Sequence, residues 1–182
     1  METYLISDSH FGHANICKFL REDGTKLRPW DSAEEMDAFM VERWNSVVKP
    51  TDVVYHLGDV AMNRRHIKTM ALLNGDKRLI LGNHDIFDHS DYTPYFKRLH
   101  GSHKLDDLLL THIPVHRDSV AKWTNCCVHG HIHAHVIADP LYFNVSVENI
   151  EYTPMPLYLV KERIRAQQAQ YQQATDIVLD LI

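Results

Sequence analysis

The stretch KRLILGNHD (residues 77–85) changes character at its middle. Leu79, Ile80 and Leu81 form an apolar run of the length of a buried strand, and at Gly82 the chain breaks into Asn83, His84 and Asp85. Turn chemistry accounts for Gly, Asn and Asp there, but not for a histidine. The same pattern recurs on both sides. Upstream, TDVVYHLGDV (51–60) stops at Gly58 before Asp59, and TYLISDSH (3–10) ends in Asp8 and His10. Downstream, LDDLLLTHIPV (105–115) runs into His112, NCCVHGHIH (125–133) into His131 and His133, and LYFNVSVENI (141–150) reads as one more strand.

Helical patterns lie between these runs. In RPWDSAEEMDAFMVERWNSVV (28–48), Asp31 or Ser32 can cap, and Met36, Phe39, Met40, Trp44, Val47 and Val48 recur at helical spacing. NRRHIKTMALLNG (63–75) predicts a short helix closed by Gly75, and LYLVKERIRAQQAQYQQA (157–174) a longer one rich in good helix formers. The tail TDIVLDLI (175–182) is apolar enough to be packed down. Strands alternating with helices, each strand ending in Asp, His, Asn or Gly, describe an α/β sandwich with its chemistry at the strand ends.

Composition narrows the function. The 182 residues, 45% of them hydrophobic, suit one well-filled core, and a formal charge of −5 argues against tight binding of extended nucleic acid through phosphate neutralisation. No apolar run reaches transmembrane length and the first residues lack a secretory pattern, so a cytoplasmic protein is expected. Cys17, Cys126 and Cys127 make neither a disulfide framework nor a zinc-knuckle spacing. The outlier is histidine, with 14 copies, four of them at every second position of CCVHGHIHAHVI (126–137). Imidazole is the commonest transition-metal ligand, so this excess favours a metal site.

The strand ends together offer Asp8, His10, Asp59, Asn83, His112, His131 and His133. All are oxygen or nitrogen donors without a thiolate. That set disfavours a closed structural zinc site and suits Mn, Fe, Co, Ni or Zn in expanded coordination. Seven donors are too many for one catalytic ion and fit two, with a shared carboxylate.

The blocks DSH, GDV, GNHD, THIP and GHIH, in this order from Asp8 to His133, resemble the motif set of the calcineurin-like metallophosphoesterases. HFGHANI and RPWDSAEEMD further resemble a small prokaryotic and phage subgroup. The resemblance implies a four-layer αββα sandwich of two mixed β-sheets flanked by helices. It would be a single domain over 1–182, with 11–50 as a loop-helix insertion between the first two motif strands. It also implies a division of labour. Asp8, His10 and His133 would hold one divalent ion, Asn83, His112 and His131 the other, and Asp59 would bridge them. Manganese is the expected metal, with Fe, Ni, Co or Zn as alternatives. His84 would reach the substrate phosphate, stabilising charge or protonating the leaving oxygen, and Asp85 would either orient His84 or serve as a plain loop carboxylate. The expected activity is hydrolysis of a phosphoric ester, a phosphodiester in preference to a small monoester. A non-catalytic metal-binding scaffold is the competitor from another class.

Other residues divide between sharp and bland readings. His13, Asn15 and Arg28 are candidate substrate contacts, against capping or loop packing for the first two and a surface ion pair for Arg28. His131 and His133 on different ions require strict strand alternation to break after Gly130. His129 is either a hydrogen-bonded support for the site or packing, and His135 an exposed imidazole. His56 reads as an interior histidine, and His66, His89, His100 and His103 as surface residues. Arg64, Arg65, His116 and Arg117 are rim candidates whose simpler reading is solvated charge. Trp30, Trp44 and Trp123 are hydrophobic anchors.

Overall fold

The structure, a computed structural model, describes residues 1–120 and 124–179, and side chains through residue 176. Trp123 lies outside the described residues. Two mixed sheets form the centre. The first has the order β4-β3-β2-β1-β9, from β1 (Thr3–Ile6), β2 (Val53–His56), β3 (Asp76–Ile80), β4 (Arg98–His100) and β9 (Met155–Pro156). β1 to β4 are parallel and β9 is antiparallel to β1. The second sheet has the order β5-β6-β7-β8, from β5 (His103–Leu105), β6 (Leu108–Leu110), β7 (Cys126–His129) and β8 (Tyr142–Asn144), parallel except for the β5–β6 hairpin. All four residues of β2 and of β7 are buried, as expected of central strands covered on both faces.

Helices supply the covers. In α1 (Ala33–Val47) the side chain of Ser32 accepts the Glu35 N–H, so Ser32 and not Asp31 is the cap. Met36, Met40 and Trp44 recur four apart and bury one stripe of the helix in the core. Phe39 sits beside that stripe, against Trp30 and Tyr152. The long helix α4 (Leu157–Leu179) follows β9 directly and packs on β9 and β1. It takes in part of the tail. Two single-turn helices, α2 (His89–Tyr92) and α3 (Arg117–Val120), complete the set, and among the described residues no helix is long and apolar enough to cross a membrane.

Three features refine or depart from the sequence reading, for local reasons. The short helix expected within 63–75 is present over residues 64–72, with 3-10 geometry. No side chain caps it, and its buried Ile67 and Met70 are three apart, which matches three residues per turn. LDDLLL holds a hairpin in place of one strand, because Asp106 turns the chain at φ 53°. β4 lies inside the turn-rich 86–101 segment, and β9 has only two residues, one a proline tolerated at a sheet edge.

The two sheets meet where β1 ends. Ser7 N–H donates to Val145 O, Val147 N–H donates to Ser7 O, and Ser7 bridges to Ser146. This brings the C-terminal ends of β1, β2 and β3 up to those of β6 and β7. Trp44, 1% exposed with its indole N–H on Asn74 O, anchors α1 beneath them. Trp44→Ala is expected to cost about 3–5 kcal/mol of stability, read as a shift of the urea unfolding midpoint.

Candidate metal centre

Each strand that points at the site ends in a short loop, and these loops are hydrogen-bonded side by side. Asp8 N–H donates to Gly58 O, His10 N–H to Asp59 O and Gly130 N–H to His112 O, each at 3.0 Å. The loops then turn sharply. Asp8, His10, Asp59, His131 and His133 all have φ between 49° and 69°, five of the eight described non-glycine residues in the left-handed region. Asp and His tolerate it better than most residues, but each such residue still stores roughly 1–3 kcal/mol of strain. The chain must go straight from strand to ligand without a full turn between. His131 and His133 thereby leave strand geometry, and their imidazoles go to different places.

Two groups of donors result. Asp8, His10 and His133 offer ligand atoms within 4.8 Å of one another, and so do Asp59, His112 and His131. The His10 and His133 rings stack at 5.2 Å, and the His112 and His131 rings meet edge to face at 5.1 Å. Asp59 stands between the groups. One carboxylate oxygen, Oδ2, is 3.5 Å from His10 Nε2 and 3.4 Å from His112 Nε2, while Oδ1 accepts the His84 N–H at 2.8 Å. Asn83 joins the second group, its Oδ1 2.9 Å from His112 Nε2.

The ring nitrogens show what these groups can hold. His112 Nδ1 lies 2.7 Å from Leu57 O and His133 Nδ1 lies 3.0 Å from Glu148 Oε1; both partners only accept, so each Nδ1 carries the proton. Nε2 of each is then the nitrogen that faces the other donors, with a lone pair to give when the ring is neutral. Both nitrogens of His10 are buried without a hydrogen-bond partner. Lone pairs converging from carboxylates and imidazoles, with orphaned nitrogens among them, fit divalent cations and nothing apolar.

Electrostatics agree. Burial pushes Asp59 up, but His112, the His84 N–H and His10 outweigh it and hold the carboxyl down at about 2. Burial raises Asp8, with His112 and His133 offsetting part of the rise. Burial, reinforced by Arg28, keeps His10 well below the usual imidazole range, so it is a neutral donor.

Two glycines make room for the approach of these loops. A Cβ on Gly130 would lie 2.0 Å from Ser7 Oγ and 2.2 Å from Asp8 Oδ2, and one on Gly82 would lie 2.3 Å from Asp59 Oδ1.

The remaining candidates fall out differently. His84 is half-buried, its ring edge-on to His10 at 5.4 Å. Asp85 does not orient it. Its two oxygens accept the backbone N–H groups of Asp59, Val60 and Gly82, clamping two loops together. His13 is half-buried 5.7 Å from His10, while Asn15 is exposed inside the 3-10 turn Ala14–Lys18 and caps nothing. Arg28 is neither a substrate contact nor a surface ion pair. It is fully buried, donating to Asp8 O, Ser9 O and the carboxylate of Glu148, which is equally buried. His56 is interior, bonded to Ser9 Oγ and stacked on Trp44. His129 is buried with Nδ1 on Gly130 O, and His135 is exposed. Of the four expected surface histidines, His89 is exposed, but His66, His100 and His103 are half-buried, His103 against Tyr55. Arg64 and Arg117 pair with exposed or half-exposed carboxylates.

The sequence reading missed Glu148, Ser146 and Asn144. Glu148 joins Arg28 to His133; Ser146 Oγ donates to Asp8 Oδ2; Asn144 Nδ2 donates to the His133 and His135 carbonyls. A glutamate directly after the apolar run YFNVSV was the available signal.

The sequence profile described as calcineurin-like phosphoesterase matches residues 1–178. An uncharacterized protein of Methanocaldococcus jannaschii is 34% identical, covering 88% of this chain and 90% of its own. The Gene 66 proteins of Mycobacterium phages L5 and D29 are 28% and 31% identical, each covering 74% of this chain and 79% of theirs. These relatives fit a small prokaryotic and phage subgroup. A solved structure of a protein of unknown function from Aquifex aeolicus superposes with a TM-score of 0.64 at 23% identity, over 88% of this chain and 98% of that one.

Arg28→Ala leaves the Glu148 carboxylate buried without its cation and is expected to cost about 3–5 kcal/mol in a denaturant titration. A solvent-facing substrate contact at this position would leave stability unchanged.

Proposed function

The chain belongs to the calcineurin-like phosphoesterases, and from that premise we propose that it hydrolyses a phosphodiester at a dinuclear centre, with manganese as the working metal. The observation that carries this reading is the Asp59 carboxylate, whose Oδ2 lies within 3.5 Å of an imidazole nitrogen from each donor group. Asp8, His10 and His133 would hold one ion, Asn83, His112 and His131 the other, and Asp59 both. Ions bound there would neutralise phosphoryl charge and activate water near neutral pH.

The chain's own residues position and complete the chemistry. Glu148 and the Leu57 carbonyl fix the tautomers of His133 and His112, so Nε2 of each is the donor. The His131 N–H and the Ser146 hydroxyl hold the Asp8 carboxylate in place. His84, its backbone pinned to Asp59, is the group free to meet a phosphoryl or leaving-group oxygen.

Support for a diester comes from the space around the centre. One cleft of about 660 Å³ runs past His131 and His133, and another of about 370 Å³ runs past Asn83 and His112. A phosphate with two substituents uses both, whereas a small monoester leaves one idle. The rim of the larger cleft sets one cation, Arg21, against Glu22 and Asp23, which supports a small ester over extended nucleic acid. The three free, buried cysteines accord with action in the cytoplasm.

Chelator-stripped protein is expected to be inactive and to regain turnover on addition of manganese, faster with bis(p-nitrophenyl) phosphate than with p-nitrophenyl phosphate. Restored turnover that favours the monoester would overturn the diester preference. Asp59→Asn should abolish turnover and lower bound metal at both positions, measured by elemental analysis. His84→Ala should retain the metal and lose about 10²–10⁴ in kcat. A fully active variant removes His84 from the chemistry.

A further inference from the structure

The larger cleft has a construction that phosphate chemistry does not require. Its floor is the 131–135 turn, with Ile132 and Ala134 interleaved among the site histidines. The rest of its lining comes from a hairpin arm spanning residues 19–27. Leu27 N–H donates to Phe19 O and Arg21 N–H to Thr25 O, both at 2.8 Å, and Leu20 bridges to Lys26. At the tip, Asp23 Oδ1 accepts both the N–H and the hydroxyl of Thr25. The base is fixed by the next residue, Arg28, buried on the carbonyls of Asp8 and Ser9. The arm is therefore held in place by its own bonds and by the site's framework.

Phe19 and Leu20 line this cleft and are 49% and 65% exposed. Two adjacent large apolar side chains left in water over a metal centre are a surface that favours a covering ligand. The Phe19 ring lies edge-on to His13 at 5.8 Å, and His13 is 5.7 Å from His10, so the apolar wall is continuous with the donor groups. The polar rim is Arg21, Glu22 and Asp23, one cation against two carboxylates. Such a rim offers no balance of positive charge for a second phosphate.

We propose that this cleft is the binding site for one ester substituent of the substrate, and that the substituent is an uncharged, flat aromatic group lodged between Phe19 and Leu20 on one side and Ile132 on the other. The inference rests on the phosphodiesterase reading only in needing a phosphoryl group at the metal centre. Phe19 and Leu20 are then specificity-determining residues, with Arg28 holding the arm that presents them.

Binding, not turnover, tests it. Manganese-loaded protein is titrated calorimetrically with benzylphosphonate and with methylphosphonate, which share the phosphoryl head and are not hydrolysed. Benzylphosphonate is expected to bind about tenfold tighter or more, from burial of one ring. In the Phe19→Ala, Leu20→Ala double variant that ratio should fall towards one; both side chains are largely exposed, so the fold should persist. Equal affinities for the two ligands, or a preference that survives in the double variant, would overturn the aromatic subsite while leaving the phosphoester reading intact. Failure of both phosphonates to bind would remove that reading and the proposal with it.

Discussion

The Asp59 carboxylate receives the His84 N–H on one oxygen and lies between two imidazole nitrogens with the other, while its backbone N–H is held by Asp85. One residue thus joins the loops after β1, β2, β3 and β6. With His10 held neutral, the counter-charge that keeps this carboxylate ionised comes chiefly from His112. Asp59 Oδ2, which these nitrogens share, is the oxygen that would hold divalent ions bound there. The convergence of the loops and the demand for metal are therefore the same fact, because the geometry that brings the strand ends together also brings their lone pairs together.

A second charge arrangement lies directly beneath. Arg28 and Glu148 are fully buried as a pair, an arrangement that gains little net energy over apolar side chains of the same size. Its value lies in what each partner touches. The guanidinium satisfies the Asp8 and Ser9 carbonyls, which the turn out of β1 leaves without strand partners. The carboxylate fixes the ring of His133. Arg28 comes from the 11–50 segment and Glu148 from beyond β8, so the pair ties the long connection to both sheets. That connection can then carry an exposed apolar arm without losing its register against the site.

Much of this was legible in the sequence because strand ends announce themselves. Short runs of Leu, Ile and Val that break into Gly, Asp, Asn and His mark both a strand and its functional loop, and the seven donors follow from those breaks. α1 was equally plain, since Met36, Met40 and Trp44 keep helical spacing over two turns. What the sequence hid was partnership across distance. Arg28 and Glu148 are 120 residues apart, and an arginine amid polar residues looks solvated until the fold buries it. Asp85 beside His84 left two readings open, a carboxylate that orients the ring or a plain loop carboxylate; neighbours in a turn point apart, and the carboxylate serves main-chain donors. Short strands such as β4 and β9 carry too few side chains to show a period.

The strained turns explain why the supports are so dense. Five donor residues in the left-handed region represent several kcal/mol that isolated loops could not sustain. Each is held by bonds to a neighbouring loop: Asp8 and His10 to the loop after β2, Asp59 to Asp85, His131 to the Asp8 carboxylate, and His133 to Asn144 and Asn149. The donors are consequently in place before an ion arrives, and little ordering entropy is left to lose on binding. Ions bound there would relieve the repulsion among converged lone pairs, which the unfolded chain never feels, and would stabilise the fold through the same side chains. The arm at 19–27 meets this framework at its base. It is built from local turns and anchored at its base by Arg28, and its exposed residues, Phe19 and Leu20, supply no donor to either group.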